Sequence, residues 1–65
     1  MLARVLLVEH ELRYGVAQTS DGRTVRFHES AVHGGLTTLS PGDEVRITQR
    51  AVQLIVRRTG RRAAA

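Results

Sequence analysis

The sequence predicts an all-β fold, five short antiparallel strands closing into a small barrel with a short helical turn after the third. Three observations carry this. Branched aliphatics are concentrated in short stretches at residues 2–8, 45–47 and 52–56. Asp21-Gly22 is a favoured hairpin dipeptide and Ser40-Pro41-Gly42-Asp43 a strong turn signal, each set between strand-like stretches. Closure of five strands in a 65-residue chain hides the edges that would otherwise aggregate.

Residues 2–8 form the first strand, and the polar Glu9-His10-Glu11 begins the turn after it. Tyr14–Thr19 and Thr24–His28 are the second and third strands, joined at Asp21-Gly22, where Gly accepts the positive φ of a tight hairpin. Period-two alternation puts Tyr14, Val16 and Gln18 on one face of the second strand and Gly15, Ala17 and Thr19 on the other. On the third, Val25 and Phe27 share a face opposite Thr24, Arg26 and His28. Small Gly15 and Ala17 set against larger Val25 and Phe27 make a barrel interior, which leaves Tyr14, Val16, Arg26 and His28 outside. Residues 29–32 form the helical turn, His33-Gly34-Gly35 ends it, and a loop runs through Leu36 and Leu39. In the fourth strand Val45 and Ile47 alternate with Arg46 and Thr48; residues 49–51 reverse the chain and residues 52–56 make the fifth. The small and charged residues 59–65 read as a flexible Arg/Ala-rich tail after a domain of residues 1–58.

All ten basic residues are Arg, against six acids, for a formal charge of +4. That balance favours a polyanionic partner. Arg57, Arg58, Arg61 and Arg62 supply the whole excess, so the body of the domain is close to neutral. With no Cys, the fold rests on one aliphatic core and no oxidising compartment is needed. No apolar run approaches the ~20 residues that span a bilayer, and Arg4 and Glu9 interrupt the N-terminal one, so a cytoplasmic protein without a membrane partner is expected.

Catalysis finds little support, and no enzyme, cofactor or small-molecule substrate is expected. Ser20, Ser30 and Ser40 lack a nucleophile elbow or a neighbouring base. His10, His28 and His33 have no metal-ligand spacing, so no metal site is expected. Asp21 and Asp43 sit beside Gly in turns, where carboxylates bond the local backbone.

Over residues 4–56 the chain resembles the cold-shock domain, a family of OB-fold proteins that bind single-stranded RNA and DNA. Arg13-Tyr14-Gly15-Val16-Ala17 is similar to the family's first ribonucleoprotein motif, Val25-Arg26-Phe27-His28 to its second, and Leu39, Gly42 and Val45 match the approach to the fourth strand. The departures fall on the ligand face. Leu7 stands where the family has a surface Trp, Val16 and Arg26 replace surface aromatics, Glu29 replaces the aromatic after the His, and Phe27 matches a buried position. The translation initiation factor one type of OB fold shares the turn Gly, the His after the third strand and the segment Leu39-Ser40-Pro41-Gly42-Asp43-Glu44-Val45.

The resemblance implies an OB-type barrel that binds single-stranded RNA or DNA, in the manner of an RNA chaperone. Tyr14 and His28 would stack bases, and Arg13 and Arg26 would stack or meet phosphate. Arg4, Arg46 and the tail would add diffuse attraction, and Leu7 and Val16 would lie on the same face. Strict alternation puts Leu7 with Val5, so the first strand must bend to bring it there. The bland reading has Tyr14 covering the barrel and His28 satisfying a backbone carbonyl. A face of Leu7, Val16 and Leu36 equally suits a protein partner or a second copy, giving an interaction module in place of a nucleic-acid binder.

Overall fold

Apolar alternation fixes the facing of β1 (Leu2–Glu9) only as far as Val5. Ala3 and Val5 are buried between exposed Leu2 and Arg4, and then the register against β2 (Tyr14–Thr19) slips by one residue between Val5 and Leu7. Such a bulge turns every later side chain to the other face. Leu7 therefore pairs with Val16 and Glu9 with Tyr14, while Val8 packs on the core. Strict alternation alone would have buried Leu7.

A computed structural model describes residues 1–50 and 53–60 of the protein. They form a five-stranded antiparallel sheet in the order β3-β2-β1-β4-β5, with β3 at Thr24–His28, β4 at Glu44–Arg50 and β5 at Gln53–Gly60. β3 and β5 are its edges. Among the described residues they are linked through the chain that follows β3: Val32 makes a parallel bridge to Val56, and the His33 N–H donates to the Val56 carbonyl at 2.8 Å. One 3-10 turn, Glu29–Ala31, follows β3 as expected; a second, Leu36–Thr38, occupies what the sequence reads as loop.

The core is one cluster of Ala3, Val5, Ala17, Phe27, Val32, Leu36, Leu39, Val45, Ile47 and Val56. Its tightest contact is the expected one of small against large. Gly15 pairs with Phe27 and Ala17 with Val25, and a Cβ built on Gly15 would lie 2.6 Å from Phe27 Cζ. Only a residue without a side chain admits the ring there.

Two turns hold the strands in phase. At Ser40-Pro41-Gly42-Asp43 the Asp43 N–H donates to the Ser40 carbonyl, Gly42 takes φ 93°, and buried Asp43 accepts from the Ser40 N–H. This is a Pro-Gly turn with Gly at its left-handed position. It docks on β1 at the bulge: the Gly42 N–H donates to the Val5 carbonyl and the Val5 N–H to the Asp43 carbonyl.

The β2–β3 connection is wider than a two-residue hairpin. The Gly22 N–H donates to Thr19, the Thr19 N–H donates to Arg23, and Gly22 alone in this turn has positive φ. That is a three-residue loop with the Gly at the bulge position. Asp21 braces it, accepting from the Thr19 hydroxyl and from Arg23 Nε. The Thr19 hydroxyl, and after it the Arg23 backbone and guanidinium, hold the Asp21 carboxyl below its ordinary value. A lowered folded-state value stabilises above the unfolded carboxylate range and fades as pH falls through the folded one. We expect melting temperature to fall on acidification below about pH 4, with the part owed to Asp21 missing in Asp21→Asn, as differential scanning across pH will show.

Two sequence expectations change at the C-terminal end. Gln49 and Arg50 do not reverse the chain; they remain in the β4 ladder opposite Leu54 and Gln53, in a hairpin that runs on past the last β1 partner, Leu2 against Arg46. Residues 51 and 52, assigned to the reversal and to the start of the fifth strand, lie outside the described residues. Thr59 and Gly60, read as tail, belong to β5, because a bulge at Glu44 and Val45 lets Gly60 pair with Glu44 while the Thr59 hydroxyl donates to Glu44 Oε1 at 2.9 Å. The rest of the tail, residues 61–65, lies outside the described residues.

Candidate functional site

Pairing across β1, β2 and β3 lines up three outward rows. Glu9, Tyr14 and His28 make the first, Leu7, Val16 and Arg26 the second, and Arg4, Gln18 and Thr24 the third. Directly opposed residues on one face hold their Cβ atoms ~4.5–5.5 Å apart. Tyr14 and His28 thus look out from the same wall as direct neighbours, with Tyr14 half-buried and His28 exposed. The β1 bulge brings Leu7, 42% exposed, onto this wall beside Val16.

Arg26 lies diagonally across from Tyr14, and its guanidinium carbon sits 4.2 Å from the centre of the phenol ring. Planar guanidinium on an aromatic face is a favourable stack, worth ~0.5–1 kcal/mol when exposed. The pair presents a flat cationic surface outward.

His28 has a backbone role different from the bland expectation. It caps the Glu29–Ala31 turn: the Ser30 N–H donates to His28 Nδ1 at 3.1 Å, and the Ser30 hydroxyl lies 2.9 Å from the same nitrogen. The ring accepts from an amide and, among the described residues, serves no carbonyl. This contact fixes the ring orientation and leaves Nε2 without a protein partner among the described residues.

The remaining candidates are spread out. Arg13 lies in the β1–β2 loop with φ 60°, in the left-handed region, and its carbonyl accepts from the Glu29 N–H at 2.8 Å. That conformation costs a non-Gly residue about 1–2 kcal/mol. Arg13→Gly should therefore raise stability by up to ~1 kcal/mol after the unfolded-state entropy of Gly is counted, readable as a higher urea midpoint. Arg46 stands on β4 between Leu2 and Arg57, two strands from β2, so it is not part of the Tyr14 and His28 wall. Leu36 is fully buried in the core and drops out of the aliphatic face. Packing decides this: the Leu36–Thr38 turn folds its first residue inward.

Among the described residues the one ion pair is Arg23 with Asp21, at 2.9 Å, so Arg4, Arg13, Arg26, Arg46 and Arg57 hold no carboxylate there. Arg46 and Arg57 oppose each other directly, an arrangement that is unfavourable without an anion nearby. No three His, Cys, Asp or Glu side chains among the described residues gather where a metal ion could be held. The depressions beside Leu2, Thr19 and Ser20 lie away from Tyr14 and His28.

Sequence reasoning missed Glu9, because residues 9–11 read as turn. β1 runs one residue further, and the bulge aims Glu9 into the row of Tyr14 and His28. Glu9 is half-buried as a residue, and its carboxylate accepts from the Glu11 N–H at 3.3 Å through Oε1 in an exposed bond. The Arg26 stack on Tyr14 was legible in principle, since the register of the second and third strands makes them diagonal neighbours.

Compared with protein-family models, with curated proteins and with solved structures, the chain matches none.

Proposed function

We propose that the wall of β1, β2 and β3 holds single-stranded RNA or DNA, weakly and with tolerance of sequence at most positions. The observation that carries this reading is Tyr14 paired directly with His28 while Arg26 stacks on the phenol, three flat groups on one exposed sheet face. Each base has a π face to lay on such groups, at ~1–3 kcal/mol per stacked base. Arg4 at the edge of the wall, without a carboxylate partner among the described residues, and Arg46 and Arg57 beyond it supply cations for the backbone. An OB-type barrel of the cold-shock kind fits the strand order, with the Val32 to Val56 bridge lying where such a barrel would close.

Binding should be strongly salt-dependent. Each phosphate met on a single strand contributes a slope of about 0.7 to the fall of log affinity with log salt. Titration of fluorescent single strands at two salt concentrations tests this: failure to bind at low salt, or indifference to salt, refutes it.

A second reading has one specific observation in its favour. Leu6, Leu7 and Leu12 are 44%, 42% and 69% exposed along β1 and the loop after it. Such an aliphatic strip suits a second copy of the chain or another protein. Sedimentation of the free protein separates the two readings, since self-association through this strip would make the apparent mass rise with concentration.

A further inference from the structure

We infer that Glu9 selects the base held at the Tyr14 and His28 row, favouring guanine and rejecting uracil or thymine. The inference rests on the nucleic-acid reading above and goes beyond it by naming what one position of the strand must carry.

The geometry begins with the β1 bulge. It places Glu9 directly opposite Tyr14, which is in turn directly opposite His28, so that two rings and a carboxylate share one row across three strands. A base stacked on Tyr14, the ring beside Glu9, lies parallel to it and extends its edge along the row. Within one strand spacing, ~4.8 Å, that edge meets the neighbouring side chain.

An ionised carboxylate only accepts hydrogen bonds. Oε1 of Glu9 takes the Glu11 N–H through a long bond of 3.3 Å, and Oε2 has no partner among the described residues. No basic side chain among the described residues neutralises it. Against this acceptor the bases differ sharply. Guanine offers N1–H and an N2 amino hydrogen in parallel, matching both carboxylate oxygens. Cytosine and adenine offer one amino group each. Uracil and thymine offer a single N3–H flanked by two carbonyl oxygens, which the carboxylate repels.

A carboxylate is otherwise an odd residue on a face meant for a polyanion. It repels phosphate wherever the strand passes, and toward such a ligand a base-edge contact is the role in which its charge helps. Arg26, one row away on the Tyr14 ring, can hold the phosphate side of the same nucleotide.

The test uses the whole chain and four labelled heptamers, thymidines throughout except for a central G, C, A or T, titrated at low salt by fluorescence anisotropy. A fifth carries central inosine, which lacks the N2 amino group. The expected result is roughly tenfold tighter binding of the G heptamer than of all-T, the range for a bidentate base contact. Inosine should fall between them. In Glu9→Gln the all-T heptamer binds more tightly as a negative charge is removed while the G heptamer loses its bidentate contact, so the ratio of G to T collapses toward one. That ratio is the decisive readout, since general electrostatics moves all heptamers together. Equal binding of all heptamers by the wild type, or a G preference that survives in Glu9→Gln, overturns the role of Glu9 and leaves the interface standing. Failure of every heptamer to bind overturns both.

Discussion

Phe27→Ala should leave much of the protein unfolded at room temperature. The ring is 1% exposed and lies in the centre of the core cluster, packed on the bare backbone of Gly15. Truncating such a ring costs ~3–5 kcal/mol, transfer and cavity together. A domain of this size has only roughly 3–10 kcal/mol in all. Urea denaturation followed by far-ultraviolet circular dichroism is expected to show a midpoint collapsed toward zero denaturant. The reciprocal change, Gly15→Ala, forces a methyl against Phe27 Cζ and should cost ~1–3 kcal/mol. Phe27→Leu, which retains most of the apolar volume, should stay folded with a lower midpoint. A midpoint unchanged by Phe27→Ala would show that the ring is not where the pairing of β2 with β3 puts it.

Tyr14→Ala should weaken single-strand binding by about tenfold or more while altering stability little. Loss of one stacking ring is worth ~1–3 kcal/mol of binding, and here the ring is also the bed on which Arg26 lies. Removing it frees the guanidinium to wander, so Arg26→Ala in the Tyr14→Ala background should have a smaller effect than Arg26→Ala alone. His28→Ala should weaken binding too, with a small additional loss of stability from the vacated cap on Ser30. Chemical-shift mapping with an oligonucleotide provides the spatial check. Perturbations should centre on Leu7, Tyr14, Val16, Arg26 and His28. Perturbations confined to residues 57–62 would instead place the contact on the Arg-rich C-terminal end.

How far the sequence reveals this molecule depends on which physical rule governs each element. β2 and β3 follow propensity, alternation and turn chemistry together, so Tyr14–Thr19 and Thr24–His28 are the expected strands residue for residue. The pairing of Gly15 with Phe27 follows from volume alone. β1 is different: a bulge is a two-strand property, fixed here by the turn at Gly42 and Asp43 bonding both backbone groups of Val5. Nothing in residues 2–9 read alone announces it, and the polar run Glu9-His10-Glu11 reads as turn. The fifth strand outran expectation because Gly60 is a poor strand former and the end of the strand is held by Glu44, a neighbour remote in sequence, through the Gly60 pairing and the Thr59 hydroxyl. Of the candidate site, Tyr14, Val16, Arg26 and His28 were legible through alternation. Leu7 required a bend that the sequence alone left conditional, and the place of Arg46 across the sheet required the strand order.

The seam between β1 and β4 also bears on how the chain assembles. β1, β2 and β3 form a meander of local contacts, β4 and β5 a hairpin of their own, and the two are stitched by Leu2, Ala3 and Arg4 against Glu44, Val45 and Arg46. Closing that stitch brings together residues some forty positions apart, after both halves have gained what local order they can. The docking of the hairpin on the first strand is thus the entropically expensive event on the folding route. Its amides, Val5 and Ile47 among them, report in hydrogen exchange whether the two halves open as one unit or come apart.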